Sequence, residues 1–118
     1  MSILVTVTDS AEGEASLRAG IHEARALREP MVVLNLGLRA LDLSAVPHDL
    51  TVRTVERHGK EDRDPVEVVL NTAADDPSIT RIVIGMRRRS PVGKAVLGSV
   101  SQGILLESPL PVLAVKAD

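Results

Sequence analysis

The chain of 118 residues contains no cysteine and no phenylalanine, tryptophan or tyrosine. The absence of cysteine excludes disulfides, iron–sulfur clusters and zinc sites that depend on thiolates. The absence of aromatic rings removes the surface on which a base or a sugar commonly stacks in proteins that bind single-stranded nucleic acid. Because 44% of the residues are nevertheless hydrophobic, we expect a globular protein whose core is wholly aliphatic.

The chain also lacks an excess of charge of one sign and a long apolar run. Lys and Arg total 14 and Asp and Glu total 16, so the net charge is −2. A generic nucleic-acid partner is not expected, because such domains are usually strongly basic. The sequence contains no run of 18 apolar residues, the length needed to span a membrane. The first apolar run is too short for a signal peptide. We expect one cytoplasmic domain, residues 1–118, with no nucleic-acid or membrane partner.

The hydrophobic pattern alternates between short strands and amphipathic helices. Segments with the composition of strands are 3–7, 31–36, 51–58, 79–85 and 112–115. Helices are expected from Ser10 to about Arg28, from Asp64 to a stop before Pro77, and from Gly98 to about Leu106. Residues 37–49 are expected to form a loop or at most a short helix. This alternation predicts an α/β fold in which helices cover both faces of a parallel sheet.

One segment, residues 85–99, connects a predicted strand to a predicted helix. Ligands of parallel sheets bind at this end of the strands. Gly85 allows a turn or a close backbone approach, and the backbone N–H groups after Gly98 and Ser99 could bind phosphate, with help from the Ser101 hydroxyl. From these residues alone, however, a turn glycine followed by an N-cap serine is the simpler explanation.

The same segment, with the residues around it, resembles the carboxyl-terminal half of the universal stress protein family. The likeness runs through Ile82–Gly85, Gly98–Ser101 and Pro109–Val115. Nucleotide-binding members of the family carry Gly-x2-Gly-x9-Gly-Ser/Thr, and Gly85, Gly98 and Ser99 match three positions of this motif. The resemblance implies a Rossmann-like, doubly wound, five-stranded parallel sheet of order 3-2-1-4-5. It also implies a usually dimeric protein of the stress response that binds an adenine nucleotide of the ATP or AMP class, without a required metal.

Two residues depart from the family pattern. Arg88 replaces the second glycine of the motif, where it could obstruct a close approach to phosphate. Alternatively, the four positive charges of Arg87, Arg88, Arg89 and Lys94 could bind phosphate in place of the glycine, because guanidinium groups pair well with phosphate. A solvated basic loop is the remaining interpretation. Thr8 stands where the family usually has an aspartate that contacts adenine, and Asp9 follows one residue late. Asp9 could contact the base after a local shift or could be a solvated loop residue.

The predicted nucleotide site lies between the ends of strands one and four and the start of the last helix. The aliphatic side chains of Val7, Leu36 and Val100 are expected to contact the base. The full predicted set is Thr8, Asp9, Leu36, Gly85, Arg88, Gly98, Ser99, Val100 and Ser101.

Three functions remain open at this point. The first is a nucleotide-binding stress protein. The second is a dimeric interaction scaffold that has lost nucleotide binding, which Arg88 and Thr8 favour. The third, a weak ATP hydrolase, would need a carboxylate for a metal near Gly98, and Asp9 is the candidate. We expect no enzymatic activity, since Walker, Gly-x-Ser-x-Gly and His-Glu-x-x-His motifs are absent.

The last predicted strand is expected to form a homodimer. It is apolar until Lys116, and an exposed apolar edge strand favours pairing with another chain. The residues of this expected interface are Val112, Leu113, Ala114 and Val115.

Overall fold

The computed structural model describes residues 1–56, 64–89, 94–96 and 98–117, and these residues form six strands and three helices. In chain order, the elements are β1 (Ser2–Val7), α1 (Ala11–Leu27), β2 (Met31–Asn35), β3 (Val52–Glu56), α2 (Pro65–Asp75), β4 (Ile79–Arg89), β5 (Lys94–Val96), α3 (Ser99–Glu107) and β6 (Val112–Lys116). The predicted end of the third strand, before Gly59, lies outside the described residues.

Five of these strands form a parallel sheet with β1 near its centre. β1 pairs with β2 on one side and with β4 on the other, β3 pairs with β2, and β6 pairs with β4, each in parallel. The order is therefore β3-β2-β1-β4-β6. Because β6 is the fifth parallel strand along the chain, the predicted order 3-2-1-4-5 is confirmed.

The segment after Gly85 differs from the prediction. The sequence indicated a loop, but β4 continues to Arg89 and pairs antiparallel with β5, Arg87 opposite Val96 and Arg89 opposite Lys94. We call this pair, residues 87–89 with 94–96, the β4–β5 ribbon. β4 follows β6 only as far as Met86. Beyond that point the strand lacks its sheet neighbour, and the backbone groups are satisfied by a strand that folds back locally.

Alternation of side chains along each strand divides the core into two layers. On one face, Ile3, Val5 and Val83 are fully buried and pack with Leu17 and Ala24 of α1. This is the period-two pattern expected of a sheet that is covered on both sides.

The other layer packs beneath α2 and α3. Leu4, Ile82 and Ile84 are fully buried and cluster with Val69 of α2 and Ile104 of α3. The predicted start of α2 is confirmed in detail, because the Asp64 side chain accepts the backbone N–H of Val66 at 2.9 Å.

The connection between β2 and β3 contains turns and no helix, as predicted. Its partly buried aliphatic side chains pack against the layer beneath α1: Leu41, Leu43, Val46 and Leu50. Among the described residues, no helix is long and apolar enough to cross a bilayer.

The helices diverge at the centre of the sheet. α1 follows β1 and covers one face, whereas α3 follows the β4–β5 ribbon and covers the other. Because β1 and β4 are neighbours, their carboxyl ends lie at the point where the strand order reverses. A crevice for a ligand is expected there in a doubly wound sheet.

Candidate functional site

A crevice of about 360 Å³ opens at the carboxyl ends of β1 and β4. Its volume lies toward the lower end of the range of small-molecule sites. Eight of the nine predicted site residues line it, and the side chain of the ninth, Arg88, lies outside the part of the chain that the structure describes. The lining residues are Thr6, Thr8, Asp9, Ser10, Glu12, Gly13, Leu36, Gly85, Arg87, Gly98, Ser99, Val100, Ser101 and Ile104.

The expected contribution of Val7 to this crevice was wrong. Val7 packs against the layer beneath α1, and Thr6 lines the crevice together with Thr8. Successive side chains of a strand point to opposite faces, so a site that contains Thr8 receives Thr6 and excludes Val7. Leu36 and Val100 do line the crevice, and Ile104 adds a third aliphatic wall.

Gly85 lies in β4, four residues before its last residue, and is buried where this strand meets the first turn of α1. A Cβ at this position would overlap the backbone carbonyl of Glu12. The close backbone approach predicted at Gly85 is therefore between β4 and α1, and not between β4 and a ligand. It also brings the side chain of Glu12 to the crevice wall.

The N-terminus of α3 forms the opposite wall. Gly98 is the N-cap, with φ −68° and ψ 166°, and has no side chain to cap the helix. The first intrahelical bond runs from the Gln102 N–H to the Gly98 carbonyl at 2.9 Å, so the N–H groups of residues 99–101 have no partner within the helix. The first turn contains no acidic residue. The positive end of the α3 dipole therefore faces the crevice without an acidic side chain in its own first turn.

Ser101 connects this helix to the end of β4. Its hydroxyl donates to the Gly85 carbonyl at 3.0 Å. This bond fixes the distance between two parts of the predicted motif that are 16 residues apart in the chain. The hydroxyl proton predicted to help bind phosphate is thus engaged within the protein.

The N-terminus of α1 also reaches the crevice, but its charge is already compensated. Glu12 and Glu14 occupy its first turn. The Glu12 carboxylate accepts the Ser10 hydroxyl at 2.8 Å and lies 3.1 Å from Nε of Arg87. The Ser10 hydroxyl is also 2.6 Å from that of Thr8. A continuous polar row therefore runs from Thr8 to Arg87 along this wall.

Asp9 is bound to the connection that follows β2. Its carboxylate accepts the backbone N–H groups of Leu38 at 2.7 Å and Arg39 at 3.3 Å, and the Arg39 guanidinium donates to the Asp9 carbonyl at 3.4 Å. A Cβ at Gly37 would overlap this carboxylate. Asp9 is thus exposed, as one interpretation expected, but it holds a loop in place and is not simply solvated.

Sequence reasoning did not assign several crevice residues to the site. Thr6 was predictable, because side chains two residues apart on a strand share a face and Thr8 had been assigned to the site. Ser10 and Glu12 were identified only as helix-start residues, although a helix that follows β1 necessarily begins at this edge. Gly13 and Ile104 were also not assigned, and Arg87 was identified only as part of the basic segment beside the predicted phosphate site.

Comparison with known proteins identifies one family over most of the chain. The model of the universal stress protein family matches residues 1–116. A universal stress protein of Mycolicibacterium smegmatis is 38% identical over 115 residues, covering 88% of each chain.

Solved structures share the fold. The universal stress protein from Archaeoglobus fulgidus superposes with a TM-score of 0.73 at 29% identity, over 98% of each chain. A structure from the same organism, determined in complex with dAMP, gives a TM-score of 0.67 at 24% identity, again over 98% of each chain.

Proposed function

Because the chain belongs to the universal stress protein family, we propose that it binds an adenine nucleotide in the crevice between β1 and β4. The phosphate would lie at the N-terminus of α3, and the protein would act in the stress response by binding and not by catalysis. Two findings support this. Eight of the nine predicted site residues line one crevice, and a protein of the same fold was solved with dAMP.

The main support for the proposal is the presence of a glycine at position 98. Its φ of −68° is open to any residue, and a Cβ there would meet nothing within 4 Å among the described residues. Gly85, in contrast, is a glycine because of a contact inside the protein. Contacts with the described residues therefore do not explain the glycine at 98. A ligand that approaches the backbone N–H groups of α3 closely does explain it.

The base would lie on aliphatic side chains and not on a ring. Leu36, Val100 and Ile104 line the crevice on one side, and the hydroxyls of Thr6 and Thr8 add polar groups near the end of β1. Aliphatic walls bury apolar surface of the base without the additional energy of aromatic stacking. We therefore expect the phosphate to contribute a large share of the affinity.

Gly98→Asp and Gly98→Asn test this placement as a matched pair. Both residues are good N-caps, so both variants should keep the stability of α3. Only aspartate adds a negative charge at the proposed phosphate position. In calorimetric titrations with AMP, we expect Gly98→Asp to lose roughly tenfold or more in affinity, the loss of one charge-assisted contact. Gly98→Asn should lose less than Gly98→Asp, because it places a side chain beside the backbone N–H groups but adds no negative charge. Equal affinity of the wild type and Gly98→Asp would show that phosphate binds elsewhere.

We further propose a homodimer built on β6. This strand pairs with β4 on one side, and its other edge has no partner strand within the described residues. Leu113 is 38% exposed on β6. In α3, Gly103 faces Val66 of α2, and Leu105 lies about 200° further around the helix. Leu105, 43% exposed, is therefore on the side of α3 away from α2, and a second copy paired along the free edge of β6 would cover Leu113.

A dimeric scaffold without nucleotide is the second candidate function. Its specific support is Asp9, whose carboxylate is already bound to the Leu38 N–H and is not free to contact a base. Arg88, in place of the second motif glycine, favours the same function. The titration separates the two candidates, because the scaffold predicts no saturable heat from either AMP or ATP, in the wild type or in the Gly98 variants.

A further inference from the structure

A fixed carboxylate lies in the wall of the proposed nucleotide site. The side chain of Glu12 is 23% exposed, and both of its oxygens have partners: Oε2 accepts the Ser10 hydroxyl and Oε1 faces Nε of Arg87 at 3.1 Å. Two hydrogen-bonding partners restrict its rotation away from the crevice. A phosphorylated ligand therefore meets a negative charge that is held in position.

The same contact pairs Glu12 with the cation of Arg87. Arg87 is 68% exposed and lines the crevice, but its guanidinium is paired with Glu12. Among the described residues of the wall, the other source of positive potential is the N-terminus of α3, which is equivalent to about half an elementary charge. This end of a helix, with three N–H groups unpartnered in the helix, suits one phosphate group. A second and a third phosphate would extend beyond this end of the helix, toward the wall formed by Glu12 and Arg87. That ion pair has no net positive charge to attract them, and it contains a carboxylate.

We propose that Glu12 makes this crevice selective for nucleoside monophosphates over triphosphates. The inference rests on the proposed nucleotide-binding function and specifies the ligand of that same site. The β- and γ-phosphates of a triphosphate add negative charge, and the described residues of the wall offer no unpaired cation to receive it. Because Arg87 is 68% exposed and Glu12 only 23%, solvent screens the cation more than the carboxylate, and the remaining repulsion from Glu12 raises the free energy of the complex. Discrimination then comes from an unfavourable contact with the wrong ligand, not from an extra contact with the right one.

The test measures the ratio of AMP to ATP affinity in EDTA, so that no divalent cation screens the phosphates. Wild type should bind AMP more tightly than ATP. Glu12→Gln keeps the shape of the side chain, removes the charge and releases Arg87. It should raise ATP affinity about tenfold more than AMP affinity. The control is Glu14→Gln, which removes the same charge from the same turn of α1 at an exposed position outside the crevice. This control should leave the ratio within about twofold.

Arg87→Gln gives a second, opposite readout. It leaves Glu12 without its cation, so ATP affinity should fall further relative to AMP. The selectivity proposal is overturned if wild type binds ATP as tightly as AMP, or if Glu12→Gln and Glu14→Gln shift the ratio equally. In both of those cases nucleotide binding itself stands. If neither nucleotide binds to wild type or to any variant, the nucleotide-binding function is wrong, and the selectivity proposal is wrong with it.

Discussion

The carboxylate of Asp9 accepts the backbone N–H of Leu38 at 2.7 Å and thereby joins the loop after β1 to the connection after β2. The two residues are 29 positions apart in the chain. The family resemblance places an adenine-binding aspartate at position 8, where this chain has Thr8. The carboxylate one residue later therefore has a different task in this protein, which is to hold the β2–β3 connection against the end of β1.

Asp9→Ala should release that connection without abolishing nucleotide binding. We expect faster amide hydrogen exchange at Leu38 and a loss of about 1 kcal/mol in the free energy of unfolding, since the bond is exposed. AMP affinity should change by less than about threefold. Asp42→Ala is the matched control, because Asp42 is also exposed and accepts a backbone N–H, that of Ser44, at 3.0 Å. A large loss of AMP affinity in Asp9→Ala alone would mean that Asp9 leaves the loop to contact the base.

Gly85→Ala should destabilise the protein. The added Cβ would overlap the Glu12 carbonyl, and α1 cannot move away without disturbing the buried layer beneath it. Overpacking of this kind costs about 1–3 kcal/mol. The measurement is urea denaturation, with Gly98→Asn as the control at a glycine where a side chain has room. If Gly85→Ala unfolds at the wild-type urea concentration, the contact between β4 and α1 is looser than the structure indicates.

Arg88→Gly addresses the departure from the family motif. We expect the wild type to bind AMP weakly and the variant to bind more tightly, because an arginine does not allow the close backbone approach that a glycine allows. Arg88→Gln is the control that removes the charge but retains a side chain, and it should not gain affinity. The opposite result, a loss of about 1.5–3 kcal/mol in both variants, would identify Arg88 as a phosphate-binding residue.

Leu113→Arg should convert the proposed homodimer to a monomer. A charge in the middle of the apolar edge of β6 would be buried without a partner in the dimer, which is strongly unfavourable. Light scattering at micromolar concentration measures the mass. Leu27→Arg is the control, because Leu27 is similarly exposed, at 41%, but lies at the end of α1. A monomeric wild type would contradict the proposal, and an unchanged dimer in Leu113→Arg would place the interface elsewhere.

Asp76 should make stability depend on pH in the acid range. The Ser78 hydroxyl and backbone N–H both donate to Asp76, at 2.6 and 3.0 Å, and with Arg53 they lower its pKa from the usual 3.8. A lowered pKa stabilises the folded state above the usual value, and this stabilisation is lost as the pH falls through the folded-state pKa. Asp76→Asn should therefore be less stable than wild type at pH 7, with the difference shrinking below the usual pKa. Asp75→Asn, at the exposed neighbouring carboxylate, should show a smaller difference at pH 7 in urea denaturation.

The order of strands and helices was predictable because the signals that determine it are local. Short apolar runs mark the strands, and Asp64 followed by Pro65 marks the start of α2, where the Asp64 side chain accepts the Val66 N–H. Gly85, Gly98 and Ser99, which stand at the intervals of the family motif, line the crevice. Each of these signals lies within a few residues of the feature that it predicts, or in a motif of fixed intervals.

Only the tertiary structure decided which groups in the crevice are already bonded to one another. Asp9 meets the Leu38 N–H, and Glu12 meets Arg87, because the order of the sheet brings the ends of β1, β2 and β4 together. Local patterns do not encode such pairs, since any loop-facing carboxylate and cation look alike in the sequence. The β4–β5 ribbon was hidden for a related reason: its strand forms where β6 ends and backbone groups need a new partner. The sequence by itself determined the fold and the position of the crevice, whereas contacts between distant segments determined the charge that a ligand meets there.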